Sequence, residues 1–242
     1  MINPGLEGRI VVVTGANNPQ GIGAAVARAF AAQGAKILLH YLRVDTDARI
    51  AKPPDEVLRA IGAVGGRAQA WEADLADPMT IPQLLDEAER AFGPVDILIN
   101  NAAHSEVDTF VPTGKDLRKD PVSAASVDRS FAVNTRAVAL LMAEFARRHV
   151  ARGADWGRII NVSTAGAYVF PSEVSYGASK LALEAYTRSA AVELGQFGIS
   201  VNAVSLGPVQ IGWIPPELEK RLVSTIPLGR IGTPEEVAGH GM

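Results

Sequence analysis

At 242 residues, 48% of them apolar and 20% charged, the chain carries enough hydrophobic material for a sizeable core and too much for a disordered segment. Its 23 Lys and Arg against 26 Asp and Glu leave a formal net charge of −3, which offers no basic field to a nucleic acid. There is no cysteine for disulfide or thiolate chemistry, no basic-then-apolar leader, and no apolar run near the roughly 18 residues of a bilayer span. The expectation is a cytoplasmic protein with neither membrane nor nucleic-acid partners.

In chain order, short β-branched runs alternate with segments of helical period. Strands are predicted at Ile10–Val13, Lys36–His40, Ala68–Glu72, Val95–Ile99, Arg158–Val162 and Ser200–Val204. Helices are predicted at Gly21–Gln33, Pro54–Val64, Met79–Phe92, Ala124–Arg152 and Tyr176–Gly195. Most of the strands are continuously apolar, the pattern of a parallel sheet covered on both faces. The alternation predicts an α/β fold with a doubly wound parallel sheet in three layers, one domain over residues 1–242. Two long irregular stretches, His104–Ser123 and Leu206–Ile226, are expected at the carboxyl ends of strands, where such sheets bind ligands. In the second, Trp213 and Ile214 are expected to form an apolar wall for substrate.

Between the first strand and first helix lies Thr14-Gly15-Ala16-Asn17-Asn18-Pro19-Gln20-Gly21-Ile22-Gly23. Glycines there let the backbone turn tightly and approach a pyrophosphate over the helix amino terminus. The contacts expected from this turn are Gly15, Asn17, Gly21, Ile22 and Gly23. About twenty residues on, an acid usually takes the ribose hydroxyls of NAD, whereas an arginine accommodates the 2′-phosphate of NADP. Arg43 stands there, after Tyr41, and a guanidinium grips phosphate in a fork of hydrogen bonds. NADP is therefore the expected cofactor and NAD the alternative, with Asp45 close enough to weaken the argument. Asp74 and Leu75 after the third strand are placed for the adenine, and Asn101, Ala102 and Ala103 after the fourth for the flat face of a cofactor.

Tyr176 and Lys180 lie four apart at the start of a helix, on one face. A tyrosine pKa of about 10 must fall to about 7 for base catalysis near neutrality, which asks about 4 kcal/mol of preference for the phenolate. The Lys180 ammonium and the positive end of the helix are expected to supply it. The four histidines, His40, His104, His149 and His240, are scattered without metal-ligand spacing, so no metal is expected. No hydrolase elbow of the GxSxG type occurs.

Taken together, TGxxxxxGIG at Thr14–Gly23, NNAA at Asn100–Ala103, Val133-Asn134 and YxxxK at Tyr176–Lys180 make a chain that resembles the short-chain dehydrogenase/reductase family, with 3-oxoacyl-reductase-like members foremost. The resemblance runs from the glycine turn to Thr233. It implies a Rossmann-type fold, a homodimer or homotetramer, and an active centre of Asn134, Ser163, Tyr176 and Lys180. It also implies cofactor contacts from Tyr176, Lys180, Gly207 and Val209. In this reading Tyr176 exchanges the hydroxyl proton, Lys180 holds the nicotinamide ribose, Asn134 holds a water linking Lys180 to solvent, and Ser163 bonds the substrate oxygen. Counting forward from Gly157 gives Thr164 in place of Ser163, so Thr164 is the reserve.

The pattern departs from the family in four places. The glycine turn has two extra residues, Pro19 and Gln20; Leu206 stands where proline is usual; Ile211 stands where threonine is usual. Finally, Thr233-Pro234-Glu235-Glu236 announces a helix that is expected to have too few residues to form, and a seventh strand is expected to be missing. The function expected is hydride transfer between NAD(P) and a small carbonyl/alcohol substrate (EC 1.1.1.-). The alternative is a catalytically weak or inactive NADP(H)-binding sensor.

Overall fold

The computed structural model describes residues 5–44, 47, 50–111 and 120–240. Asp45 lies outside the described residues. The elements run β1 (Ile10–Val13), α1 (Ile22–Ala32), β2 (Lys36–Tyr41), α2 (Asp55–Ala63), β3 (Arg67–Glu72), α3 (Thr80–Phe92) and β4 (Ile97–Asn100). Two-residue β5 (Asp108–Thr109) and β6 (Asp120–Pro121) follow, then α4 (Ala124–Phe131), a π-helical turn (Ala132–Ala137) and α5 (Val138–Ala151). The rest comprises β7 (Gly157–Thr164), α6 (Val174–Leu194), β8 (Ile199–Leu206), α7 (Pro216–Val223) and α8 (Pro234–His240).

Six strands form one parallel sheet in the order β3-β2-β1-β4-β7-β8. Successive side chains of a strand point to opposite faces, and here both faces are covered. Val12, Leu98 and Ile159 pack with Leu141, Phe145 and Leu183 of α5 and α6. Val11, Val13, Ile97 and Ile99 pack on the other side with Ala24, Ala27 and Phe30 of α1. This is the Rossmann-like three-layer fold expected. The strand order reverses between β1 and β4, which opens the crevice where such sheets take ligands.

Four differences from the sequence expectation matter. The helix expected over Ala124–Arg152 is interrupted by the π-helical turn, which carries Asn134. Helix α6 starts at Val174 rather than Tyr176, so Tyr176 sits inside its first turn. Helix α7 occupies part of the loop expected after β8. Helix α8 does form: Thr233 N donates to Glu236 Oε2 (2.9 Å) and Glu236 N to Thr233 Oγ1 (3.3 Å), a reciprocal cap. Burial of Val237 and Ala238, the latter in the cluster beside α1, completes its support. Capping and tertiary packing thus hold a helix too short to persist alone. No seventh strand joins the sheet among the described residues, and β8 is an edge.

Candidate active site

The glycine turn is held by close backbone approach. Gly15 has φ +68°, and a Cβ there would lie 2.7 Å from Ala102 Cα; at Gly23 it would lie 2.5 Å from the Gly15 carbonyl oxygen and 2.6 Å from Asn101 Nδ2. Asn101 Nδ2 donates to the carbonyls of Thr14 (2.8 Å) and Gly15 (2.9 Å), while Thr14 Oγ1 accepts from the backbone N–H of Asn101 and Ala102. Gly21 caps α1 without a side-chain hydrogen bond, and the first turn of α1 carries no acid. A helix terminus so prepared fits an anion such as a pyrophosphate. Ile22 is partly buried against the α1-side core.

The extra residues of this turn are absorbed locally. Gln20 N donates to Asn18 Oδ1 (3.1 Å), and Arg28 Nη1 to the Pro19 carbonyl (3.0 Å). Asn18 Nδ2 donates to the Ile211 carbonyl (3.0 Å), so the backbone ties the loop after β8 to the glycine turn even with isoleucine in place of threonine. Asn17 is buried, and its amide bonds the carbonyls of Ile50 (2.9 Å) and Lys52 (3.1 Å). It therefore braces the loop after β2.

Around the expected ribose site, Arg43 Nε donates to both oxygens of Glu72 (2.8 and 3.0 Å), and Tyr41 stands opposite Glu72 in the β2–β3 register. Exposed Asp74 accepts from Ala76 N (2.8 Å) and Leu75 is buried. Ala103 is exposed beyond β4 and Gly207 beyond β8, while Val209 is buried and its backbone pairs with Gly232.

At the other end of the crevice, Lys180 is fully buried and its Nζ donates to the Val162 carbonyl (2.8 Å). The ammonium lies 5.8 Å from the centre of the Tyr176 ring, whose edge meets Phe170. Burial pulls Lys180 down to about 8. Tyr176 is not depressed as expected. Burial, and next the charge of Glu173, push it up to about 12. The correction has a plain cause: a phenolate here would be desolvated and face a carboxylate three residues away. Tyr176 therefore rests as a protonated acid.

Asn134 is buried and its amide is already committed: Nδ2 donates to the His104 carbonyl (2.8 Å) and Ser179 Oγ (2.9 Å), and Oδ1 accepts from His104 N (2.8 Å). Ser179 Oγ in turn donates to the Tyr176 carbonyl (2.7 Å). The Asn134 side chain thus braces the loop after β4 against α6. The π-helical turn, a feature often found at functional sites, sets it there.

Ser163 also differs from expectation. Its Oγ donates to Glu184 Oε1 (2.7 Å) and is buried, on the face from which Asn161 Nδ2 reaches Thr187 Oγ1 (2.8 Å). Residues two apart on a strand share a face, so Ser163 points into the packing of α6. Thr164, next along, caps the turn Ala165–Ala167, accepting from Gly166 N (3.2 Å). That turn touches α6 beside Tyr176, since a Cβ on Gly177 would lie 3.3 Å from the Gly166 carbonyl oxygen. In the expected apolar wall, Ile214 is buried and Trp213 is 45% exposed, so only the tryptophan has a surface to offer.

Three supporting residues escaped the sequence reading. His40, buried at the end of β2, accepts from Gly15 N at Nδ1 (3.4 Å) and reaches the Ala73 carbonyl through Nε2 (2.9 Å). A carbonyl only accepts, so Nε2 carries the hydrogen and the ring is neutral. Asp108, buried, accepts from Ser175 N (3.0 Å) and Ser175 Oγ and so caps α6. Glu173 Oε2 accepts from Ser105 Oγ (2.7 Å) beside Tyr176. The one available signal was polarity at the carboxyl end of an apolar strand, as at His40.

Burial lowers His40 to about 4. The unfolded chain binds the proton near pH 6.5 and the folded chain only near 4, so stability is full above 6.5 and falls with acidification across that window. Denaturant titrations are expected to show a loss of about 3 kcal/mol between pH 6.5 and 4 from this residue, absent in His40→Gln.

A six-stranded doubly wound sheet with a glycine turn at its reversal and a Tyr/Lys pair on α6 defines a dinucleotide-fold oxidoreductase. The profile of the family described as Enoyl-(Acyl carrier protein) reductase matches residues 15–242. The uncharacterized oxidoreductase YjdA of Bacillus subtilis (strain 168) is 38% identical over 232 residues, 95% of this chain and 86% of that protein. A short-chain dehydrogenase/reductase from Serratia marcescens BCRC 10948 superposes with a TM-score of 0.81 at 32% identity, covering 97% of this chain and 89% of the other. A blue fluorescent protein from a metagenomic library, solved with NADPH, gives 0.80 at 32% identity, covering 97% and 89%. The chain belongs to the short-chain dehydrogenase/reductase family and is an oxidoreductase of that type. Among the described residues, no helix is long and apolar enough to cross a membrane.

Proposed function

We propose that this protein reduces the carbonyl group of a small molecule, and oxidises the corresponding alcohol, with NADP(H) preferred over NAD(H) and Tyr176 handling the proton. The observation that carries the reading is the Tyr176–Lys180 pair at the strand ends: Lys180 is buried, Tyr176 is half-buried, and the pair is braced through Ser179 and Asn134 to the loop following NNAA. Gly15, Gly21 and Gly23 would hold the pyrophosphate, Tyr41 and Arg43 the adenosine ribose, Asp74 and Leu75 the adenine. Asn101, Ala102, Ala103, Gly207 and Val209 would line the remainder, and Lys180 would hold the nicotinamide ribose.

When bound, the dihydronicotinamide supplies the hydride that adds to the carbonyl carbon. Tyr176 Oη–H gives its proton to the carbonyl oxygen, and the Thr164 hydroxyl donates a hydrogen bond to that oxygen as its negative charge grows. The C=O π bond breaks, a C–H and an O–H bond form, and the phenolate left on Tyr176 recovers a proton from solvent. Lys180 stabilises that phenolate by its charge. The resting protonation of Tyr176 suits reduction near neutral pH. Assembly as a homodimer or homotetramer is part of the same reading.

The test is NADPH oxidation against a panel of ketones and acyl thioesters, with NADH in parallel. Turnover that favours NADPH supports the proposal. Binding without turnover on any substrate favours the sensor, and a higher kcat/KM with NADH removes the NADP preference. Within this assay Thr164→Val is expected to lower kcat by about 10²-fold, in the range for losing one oxyanion donor, and Ser163→Ala by less than about tenfold. The reverse order would restore Ser163.

A further inference from the structure

Strands β2 and β3 pair in register with Tyr41 opposite Glu72, at the carboxyl ends of both. Arg43, two residues on, folds back: its Nε donates to both Glu72 oxygens, at 2.8 and 3.0 Å, and its backbone N–H to Oε1 at 3.2 Å. Burial, and next the charge of Glu72, push the Tyr41 phenol up. Glu72 thus engages Arg43, one of the two side chains that the dinucleotide reading offers to the adenosine ribose, and stands beside the other, Tyr41. Its side chain is 29% exposed and that of Arg43 51% exposed, so both face the solvent side of the crevice.

We propose that Glu72 is a cofactor-discriminating residue that counts against the 2′-phosphate. It competes for the Arg43 guanidinium and adds negative charge beside the ribose. The inference rests on the reading of this crevice as a dinucleotide site. A guanidinium has five donors in a fixed fork, and those turned to a carboxylate are lost to a phosphate in the same plane. The carboxylate also repels a nearby dianion by Coulomb interaction, at an effective dielectric between those of water and the interior. NADH carries hydroxyls there, which are neutral and accept or donate equally well. The penalty therefore falls on NADPH. Burial by ligand would strengthen it, and salt would screen it.

The experiment is direct binding, read by isothermal titration calorimetry, of NADPH and NADH to the protein and to Glu72→Gln, with 2′,5′-ADP and 5′-ADP as probes lacking nicotinamide. Glu72→Gln keeps the size of the side chain and removes its charge. Kd for NADPH and for 2′,5′-ADP is expected to fall roughly tenfold at low salt, with the gain shrinking at 0.5 M salt. Kd for NADH and 5′-ADP should move less than about twofold. In an Arg43→Ala background the part of the gain that comes from releasing the guanidinium should be lost, so Glu72→Gln should improve NADPH binding there by clearly less than about tenfold, and the remainder, due to charge alone, should vanish at 0.5 M salt. Unchanged selectivity, or weaker NADPH binding, overturns the proposal and makes Glu72 an organiser of Arg43. Should Glu72→Gln unfold, judged by Tm, Glu72→Asp, which withdraws the carboxylate by one methylene, must shift selectivity the same way. If the unaltered protein binds none of the four compounds, the dinucleotide reading itself fails.

Discussion

Tyr176→Phe is expected to lower kcat for carbonyl reduction by about 10³-fold while leaving Kd for NADPH within about twofold and the thermal midpoint unchanged. The ring of Tyr176 packs edge-on against Phe170 with centroids 5.7 Å apart, a contact phenylalanine retains. Only the hydroxyl leaves. Since it is the proton donor in the reading above, its loss falls on the chemical step and not on binding. The pH dependence adds a second check. Burial and the charge of Glu173 hold Tyr176 at about 12, so reduction should stay active through the neutral range and oxidation should climb with alkali. Glu173→Gln removes one cause of the upward push. The alkaline limb of oxidation should then move to lower pH, and its staying in place would mean that burial alone sets the tyrosine. A Tyr176→Phe enzyme retaining more than a tenth of wild-type kcat would sink the assignment.

The second large effect lies at the other end of the crevice. In Gly23→Ala the new methyl would stand 2.5 Å from the Gly15 carbonyl oxygen and 2.6 Å from Asn101 Nδ2, neither of which can retreat without breaking the bond between them. Overpacking of this kind costs about 1–3 kcal/mol. Because the displaced atoms belong to the proposed phosphate cradle, cofactor Kd should rise by about 10²-fold, with stability falling by about 2 kcal/mol. Gly62→Ala is the contrasting control: it lies in α2 with open space around its Cβ position, and alanine is the better helix former by about 1 kcal/mol. It should match or exceed wild type in Tm and bind cofactor normally. Equal cofactor affinity in Gly23→Ala and Gly62→Ala would contradict the cradle.

Much of this site is legible along the chain because the chemistry recurs at fixed offsets. The glycine turn is legible locally, Gly15 at φ +68° and Gly23 beneath its carbonyl falling within one strand, turn and helix, whereas the approach of Ala102 and Asn101 to it is not. The Tyr176–Lys180 spacing is likewise local to one helix face. What escaped was the orientation of side chains at element ends. Ser163 and Thr164 are adjacent hydroxyls that a count along the chain cannot separate, whereas the pleat of β7 sends Ser163 to Glu184 and leaves Thr164 at the turn beside α6. A helical period over Ala124–Arg152 likewise gave no sign of the π-helical turn, because one extra residue in a turn barely alters an apolar pattern.

The sequence by itself determined the layered α/β fold, the family, and the Tyr176–Lys180 pair, since periodicity and short-range spacing encode all three. Only the tertiary structure decided what those groups rest as. Burial of Tyr176 and its neighbour Glu173 make it an acid, burial turns His40 into a neutral clasp on Gly15, and the register of β2 on β3 brings Glu72 onto Arg43. Desolvation and charge pairing depend on distance in space, and Gly15 with His40 and Arg43 with Glu72, 25 and 29 positions apart, meet only when the sheet assembles.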